Sequence, residues 1–218
     1  MEKVLENIRS SPRFIRVYNI LKTEMELEKE KRRYFYDIIT TDKKMEFING
    51  EIIMHSPVRY KHSVPSETLF YYLKTFVDCQ KLGVVKHEKI LITLSRNDYE
   101  PDITFFNNEK TTNFTPNQMK FPAPDFIVEI LSETTEKIDR TVKFEDYAYH
   151  GVEEYWFIDP EKEFVEQYIL KNNYYKIEFK SNNGIIESKA IPGFRLPVEL
   201  IFAKEIDFEF IKNIIALK

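Results

Sequence analysis

The spacing of polar and apolar residues changes several times along the chain. An apolar stretch, Phe14 to Leu21, runs into a charged segment in which Glu24, Glu28 and Arg32 lie four apart. That spacing predicts a helix, because side chains four apart share one face. Glutamates are interspersed with the basic residues that follow, which favours a solvated helix face over a nucleic-acid-binding arm.

From Met45 onward short apolar runs replace the helical spacing. Met45–Ile48 and Glu51–Met54 flank Asn49-Gly50, and Asn-Gly between two such runs predicts a β-hairpin. Further strands are predicted over 84–95, 102–106, 126–131, 155–158, 164–170 and 174–179, with a last run near 194–202.

Two helices are predicted among these strands. Leu69, Leu73 and Phe76 recur at helical spacing and predict a helix over 65–79, with Pro65 in its first turn. The second is predicted over 137–149 and ends at Gly151, a residue suited to a helix C-terminus. The chain is therefore expected to form one α/β domain behind a helical N-terminal extension.

Composition excludes several classes of protein. The 218 residues are 43% apolar and 15% aromatic, enough for a sizeable core, and a net charge of −4 disfavours binding nucleic acid by bulk electrostatics. The five glycines form no phosphate-binding motif, and Cys79 is the single cysteine, which excludes an internal disulfide and a multi-cysteine zinc site. Without a leader or an 18-residue apolar stretch, a soluble cytoplasmic protein is expected.

Two acidic residues interrupt otherwise apolar strands. Asp102 heads one strand, and Glu129 lies in another, where alternation places it on the same face as Leu131, in or at the edge of a core. Two carboxylates from adjacent strands can hold a hard cation such as Mg²⁺, which would activate water for phosphodiester hydrolysis. Lys143, four residues from both Asp139 and Tyr147 on one helix face, is a candidate to bring an ammonium beside them.

Structural interpretations of the same residues stay open. Asp102 follows a proline, as strand-entry turns do, and Glu129 could form an ion pair without catalysis. For Lys143 alone, the spacing favours a surface lysine whose stem packs on the helix. His62, at a loop-to-helix junction, could orient a ligand or phosphate, or belong to the packing.

Five linked motifs resemble the Uma2 family, a member of the PD-(D/E)XK restriction-endonuclease-like superfamily. They span about residues 45–203 and are Asn49-Gly-Glu-Ile-Ile-Met-His-Ser-Pro57 with His62, Glu100-Pro-Asp-Ile103, Ala123-Pro-Asp-Phe-Ile-Val-Glu-Ile-Leu-Ser132, Asp139-x-x-x-Lys-x-x-x-Tyr-Ala148, and Gly151-Val-Glu-Glu-Tyr-Trp-Phe-Ile-Asp-Pro160.

The resemblance implies a mixed β-sheet flanked by helices, with C-terminal β-hairpins, over 45–203, a helical extension over 1–44 and a tail over 204–218. It places the metal site on Asp102 and Glu129. The superfamily's lysine position is Leu131 here, so the resemblance moves the ammonium to Lys143. A second departure is Glu133, where the family commonly has proline.

Supporting roles follow from the same resemblance. His62 and Glu51 would assist the site, and Asp139 would orient Lys143. Asp125 has the strand parity of Glu129 but lies roughly 13 Å along the chain from it, so a strand-entry or supporting role is expected rather than metal binding.

The predicted function is a Mg²⁺- or Mn²⁺-dependent endonuclease acting on nucleic acid, with DNA as the expected substrate. The alternative is a catalytically silent DNA-binding or protein-interaction module in which the acids pair with Lys143. Hydrolysis of a small phosphate ester is also open. A modest basic rim is expected from Lys110, Lys120, Lys137, Arg140 and Lys143. The hairpins over 164–179 could form a homodimer surface or belong to the core, and a homodimer is the expectation.

Overall fold

Two helices and a β-hairpin make up the first of two structural units into which the chain divides, 1–55 and 56–218. The computed structural model describes residues 2–40 and 43–216. Residues 1, 41, 42, 217 and 218, which fall in the predicted extension and tail, lie outside the described residues. The elements of the first unit are α1 (Glu2–Arg9), α2 (Phe14–Ile38), β1 (Met45–Ile48) and β2 (Glu51–Met54).

The predicted hairpin is confirmed residue for residue. Met45 pairs with Met54 and Ile48 with Glu51 in an antiparallel ladder. The two residues between the strands, Asn49 and Gly50, have φ angles of 51° and 82°. Two consecutive positive φ angles are the signature of the type I′ turn, which Asn-Gly favours.

A mixed six-stranded sheet dominates the second unit. The elements of this unit in chain order are α3 (Tyr60–Gln80), β3 (Gly83–His87), β4 (Leu91–Thr93), β5 (Asp98–Tyr99), β6 (Ile103–Asn107), α4 (Asn108–Thr111), β7 (Lys120–Phe121), β8 (Phe126–Ile130), α5 (Glu136–Ile138), a π-helical turn (Asp139–Lys143), α6 (Phe144–Tyr149), β9 (Glu154–Asp159), β10 (Phe164–Lys171), β11 (Tyr174–Ser181), β12 (Ile185–Glu187), β13 (Arg195–Pro197), α7 (Val198–Ile201) and α8 (Phe208–Ala216). The strand order in the six-stranded sheet is β11-β10-β9-β8-β6-β3. Neighbouring strands are antiparallel except β8 and β9, which are parallel.

Helices cover both faces of this sheet, which confirms the predicted fold class. On one face, Phe126, Val128 and Ile130 of β8 join the main core with α3, α7 and α8. On the other, Phe144 of α6 stacks on Phe157 of β9. Because β8 alternates between the faces, Glu129 lies on the side of α6 and the π-helical turn.

The start of α3 differs from the prediction. The helix begins at Tyr60, so Pro65 lies in its second turn and the expectation of a first-turn position is wrong. The amides of His62 and Ser63 donate to the Arg59 carbonyl at 2.9 and 3.2 Å, which starts the helix upstream of the proline. The early start places His62 in the first turn of α3.

Three other expectations need correction. The run 84–95 is two strands, separated where Glu88 and Lys89 take positive φ angles of 47° and 48°. The helix over 137–149 is interrupted by the π-helical turn. The run near 194–202 is a short strand followed by α7, and α8 forms within the predicted tail, where Ile211 and Ile214 reach the core.

No helix within 2–40 or 43–216 combines the length and apolarity needed to cross a membrane. The borders predicted for the extension, the domain and the tail stay predictions.

Gly83, at the start of β3, permits an approach of two backbones that no other residue allows. A Cβ built there would lie 2.0 Å from the Phe106 carbonyl oxygen, and its φ is +154°. We therefore expect Gly83→Ala to lower the free energy of unfolding by about 3 kcal/mol, because strain at special backbone positions is among the costliest effects. Urea denaturation measures it. Gly184→Ala is the matched control, since it also has positive φ but meets no atom within 4 Å; equal losses in both variants would contradict the clash.

Candidate active site

Asp102 and Glu129 lie at the same end of two neighbouring strands. β6 and β8 pair Ile103 with Val128 and Thr104 with Ile127, and Asp102 directly precedes β6. Asp102 Oδ2 accepts a hydrogen bond from the amide of Ile130, the residue that follows Glu129. Both acids are 3% exposed. The sheet register thus brings the two predicted acids into the same buried part of the protein.

The main chain of Ile130 holds Asp102 and His62 in place. Asp102 Oδ2 accepts the Ile130 amide at 2.8 Å, and His62 Nε2 donates to the Ile130 carbonyl at 3.0 Å. His62 Nε2 also lies 3.6 Å from Asp102 Oδ2. Because a carbonyl only accepts, Nε2 carries a proton. The Nδ1 atom of the ring is buried and has no hydrogen-bond partner among the described residues.

Lys143 brings its ammonium to the acids from the π-helical turn. Its Nζ lies 2.9 Å from Glu129 Oε1 and 3.1 Å from Asp139 Oδ1, and the lysine side chain is 3% exposed. The ammonium also lies 5.7 Å from the centroid of the Tyr99 ring. π-Helical turns are rare and occur frequently at functional sites. Here one such turn carries both Asp139 and Lys143.

The uncharged side chain of Tyr155 lies beside this cluster. Burial, followed by the negative charges of Glu129 and Asp139, raises the pKa of Tyr155 well above its ordinary value. Its hydroxyl therefore stays protonated at neutral pH and donates to the Asp139 carbonyl at 3.4 Å. A group that cannot ionise here adds no further negative charge to the buried acids.

The two remaining predicted site residues each pair with a lysine. Asp125 precedes β8, at the opposite end from Glu129, where it accepts the Asn107 amide at 2.7 Å and pairs with Lys110 at 2.9 Å. These contacts are those of a strand-entry residue. Glu51 lies on β2 of the first unit, is exposed, and pairs with Lys31 at 2.7 Å.

Several members of this site carry no signal in the sequence. The Ile130 amide and carbonyl act through the backbone, so its side chain gives no hint of the role. In the sequence, Tyr155 and Tyr99 look like ordinary aromatic residues of β-strands. The four-residue spacing of Asp139 and Lys143 did reveal a shared face, although it predicts a regular helix rather than a π-helical turn.

The donor set suits a hard cation with few protein ligands. Within the described ranges, no three or more His, Cys, Asp or Glu side chains are grouped so as to hold a metal ion. Mg²⁺ keeps several waters and commonly takes only one or two carboxylates, which is what Asp102 and Glu129 offer, whereas zinc needs at least three protein ligands. The residues present therefore fit a hard divalent cation.

Comparison with known proteins identifies the family. Residues 32–199 match the model of the Uma2 family, described as "Putative restriction endonuclease". A solved structure from Anabaena variabilis ATCC 29413, described as a putative nuclease belonging to DUF820, is similar with a TM-score of 0.66 and 22% identity, over 77% of this chain and 94% of that one. Among curated proteins, none matches this chain. The structural likeness establishes the fold, the family description supports a nuclease-like function, and the match over 32–199 shows that this chain belongs to the Uma2 family.

Proposed function

We propose that this protein is a Mg²⁺- or Mn²⁺-dependent endonuclease that hydrolyses phosphodiester bonds in nucleic acid. One observation carries the proposal: buried Asp102 is hydrogen-bonded to the amide of Ile130, next to buried Glu129, and the Lys143 ammonium lies 2.9 Å from Glu129. Burying charged groups is costly, and active sites are where such groups are gathered in spite of that cost.

Asp102 and Glu129 would hold the divalent cation through their carboxylate oxygens, with water completing its coordination. When bound, the cation would lower the pKa of a water molecule and offset the charge that develops on the phosphate. The overall reaction adds water across one P–O bond, so that one product carries a terminal phosphate and the other a hydroxyl that takes up the proton.

Lys143 would position the attacking water or stabilise the phosphate charge. Its second contact, with Asp139, gives the ammonium an anchor that does not depend on Glu129. Lys143 can therefore stay near the reacting phosphate while Glu129 binds the cation. His62 would support the acid pair, because its Nε2 lies 3.6 Å from Asp102 Oδ2 while it stays bound to the Ile130 carbonyl.

DNA is the proposed substrate, bound in the cytoplasm. The predicted basic rim contributes less than its residue types suggest, because Lys110 pairs with Asp125 and Arg140 with Glu166. Charge neutralisation at the bound cation and Lys143 would therefore carry much of the affinity for the scissile phosphate. This weak rim predicts a modest dependence of binding on salt.

Thermal unfolding with and without metal tests the site without a choice of substrate. In Mg²⁺ or Mn²⁺ at about 100 times Kd, the wild-type protein should gain roughly 2.7 kcal/mol over the protein in EDTA. We expect Glu129→Gln to lose this gain, because a neutral amide is a poor ligand for a hard cation. Glu133→Gln, a change at an exposed acid just after β8, should respond like wild type. A wild type that does not respond, or a Glu129→Gln variant that responds fully, would overturn the metal site.

The contacts of Lys143 also favour one alternative function. Its ammonium pairs with two acids at once, as a catalytically silent scaffold would require. In that case the protein is a DNA-binding or protein-interaction module, and lysine already neutralises the carboxylates. The same titration distinguishes the two functions, because a silent module should show no metal-dependent stabilisation.

A further inference from the structure

The segment that leads into α3 carries an exposed aromatic ring. Residues 56–61 are exposed, and Tyr60, the first residue of the helix, is 72% exposed. Within 2–40 and 43–216, its ring contacts no other aromatic ring and its hydroxyl makes no hydrogen bond. Tyr60 therefore adds little to the packing of α3, and its ring is accessible to a ligand.

Tyr60 lies beside the candidate active site. His62, two residues later, binds the Ile130 carbonyl at 3.0 Å and lies 3.6 Å from Asp102. These contacts fix the first turn of α3 at the end of β8 that holds the acid pair. Because Cα atoms two residues apart in an α-helix are about 5.4 Å apart, Tyr60 lies at the solvent-facing edge of this site.

Arg59 places a positive charge next to the ring. It is the exposed residue immediately before α3, and its guanidinium forms no ion pair or hydrogen bond with any described residue. Three other basic residues, Lys61, Lys110 and Arg140, each pair with an acidic side chain. A guanidinium can bind a phosphate through two parallel N–H donors. Arg59 can therefore bind a phosphate without breaking an ion pair with another described residue.

The charge of the chain favours a single strand over a duplex. Binding a duplex depends mainly on basic residues that neutralise its phosphates, and this chain has a net charge of −4. The faces of paired bases are also stacked on one another, so an exposed ring cannot reach them. An unpaired base can stack on a tyrosine, and this contact needs no positive charge. A ring beside one arginine therefore suits a strand with unpaired bases.

We propose that Tyr60 and Arg59 bind single-stranded DNA at the edge of the candidate active site. Tyr60 stacks on an unpaired base, and Arg59 binds a neighbouring phosphate. The inference rests on the proposed nuclease function and names its substrate class. Neither residue takes part in hydrolysis, so both act on the affinity for DNA and not on the rate of cleavage once DNA is bound.

Binding without hydrolysis tests the proposal first. Fluorescence anisotropy in EDTA compares a labelled single-stranded oligonucleotide with the duplex of the same sequence, and the wild-type protein should bind the single strand more tightly. Tyr60→Ala should weaken this binding by about tenfold, the scale for losing one stacked base, whereas Tyr60→Trp should keep it. Tyr149→Ala is the matched control, because Tyr149 is 80% exposed on α6, and it should bind like wild type.

Three results would overturn the proposal: a duplex that binds as tightly as the single strand, an unchanged affinity in Tyr60→Ala, or an equal loss in Tyr149→Ala. Tighter binding of single-stranded RNA than of DNA of the same sequence would overturn DNA as the ligand. Arg59→Gln should weaken binding and reduce the slope of log K against log salt by about 0.7, the share of one phosphate contact on a single strand. An unchanged slope would overturn the role of Arg59.

Single-turnover cleavage in Mn²⁺ separates this inference from the nuclease function. Tyr60→Ala should raise the DNA concentration that gives half the maximal rate by about tenfold and leave the rate at saturation within about twofold of wild type. A protein that binds single strands through Tyr60 but cleaves none would keep this inference and overturn the nuclease. If wild type and Tyr60→Ala cleave single strands with equal half-saturation, the nuclease stands and this inference is overturned.

Discussion

Glu129→Gln is expected to reduce metal-dependent cleavage of DNA by about a thousandfold, the scale on which removing one charge-stabilising group acts. Glutamine keeps the shape of the side chain but removes the negative charge that binds the cation. Lys143 would retain its contact with Asp139 at 3.1 Å, so the π-helical turn should keep its conformation. Single-turnover cleavage of supercoiled and linear DNA in Mn²⁺ measures the effect.

Asp102→Asn should cause a loss of similar size. Its amide can turn to offer oxygen to the Ile130 amide, which preserves the 2.8 Å hydrogen bond while the charge is lost. Glu133→Gln is the control, because it removes an exposed acid of the same segment and should cleave at the wild-type rate. Full activity in both Glu129→Gln and Asp102→Asn would show that the acid pair has no catalytic role.

Cleavage and metal binding together separate the two proposed functions. A protein stabilised by Mn²⁺ that cleaves neither form of DNA would retain the metal site and lose its proposed substrate. A protein that neither binds metal nor cleaves is the silent module, in which Lys143 is the permanent counter-ion of Glu129 and Asp139. Because the Glu129 variant enters both experiments, each result identifies which step of the proposal fails.

The face of the sheet on which Glu129 lies could be predicted because strand alternation is a local property. Once 126–131 is assigned as a strand, parity alone puts Glu129 on the face of Ile127 rather than that of Val128. The hairpin of the first unit was equally predictable, since Asn49-Gly50 supplies the two positive φ angles that its turn needs. In both cases a few adjacent residues determine the outcome.

Features set by contacts between distant segments were not predictable. The π-helical turn inserts its extra residue where Lys143 meets Glu129, a contact between residues fourteen apart in sequence. Helix α3 starts ahead of Pro65 although a prolyl residue there leaves the Lys61 carbonyl without its usual helical donor. Burial of Pro65 and the next residues against the core outweighs that local cost.

A buried carboxylate outside the active site gives the largest stability effect that we expect. Glu154 of β9 is fully buried, and its Oε1 accepts hydrogen bonds from Trp156 at 2.6 Å and Gln167 at 2.7 Å. Its Oε2 accepts three more at 2.7 Å, from the Ser188 hydroxyl and the amides of Lys189 and Ala190. Five donors therefore converge on one side chain that joins β9 to a distant loop.

Glu154→Gln should lower the free energy of unfolding by about 4 kcal/mol, within the range for breaking a buried charged network. Glutamine must turn its NH₂ group toward two donors or toward three, and either orientation leaves buried N–H groups facing each other without an acceptor. Glu153→Gln, one residue earlier and exposed, should be nearly neutral in the same urea titration. Similar losses at both positions would show that strand context, and not the five hydrogen bonds, sets the cost.

Because Phe157 of β9 pairs with Glu129 of β8, the Glu154 variant should also be assayed with Mn²⁺. If the Glu154 variant is less stable than wild type but gains as much stability from Mn²⁺, then Glu154 supports the sheet and takes no part in metal binding by the acid pair.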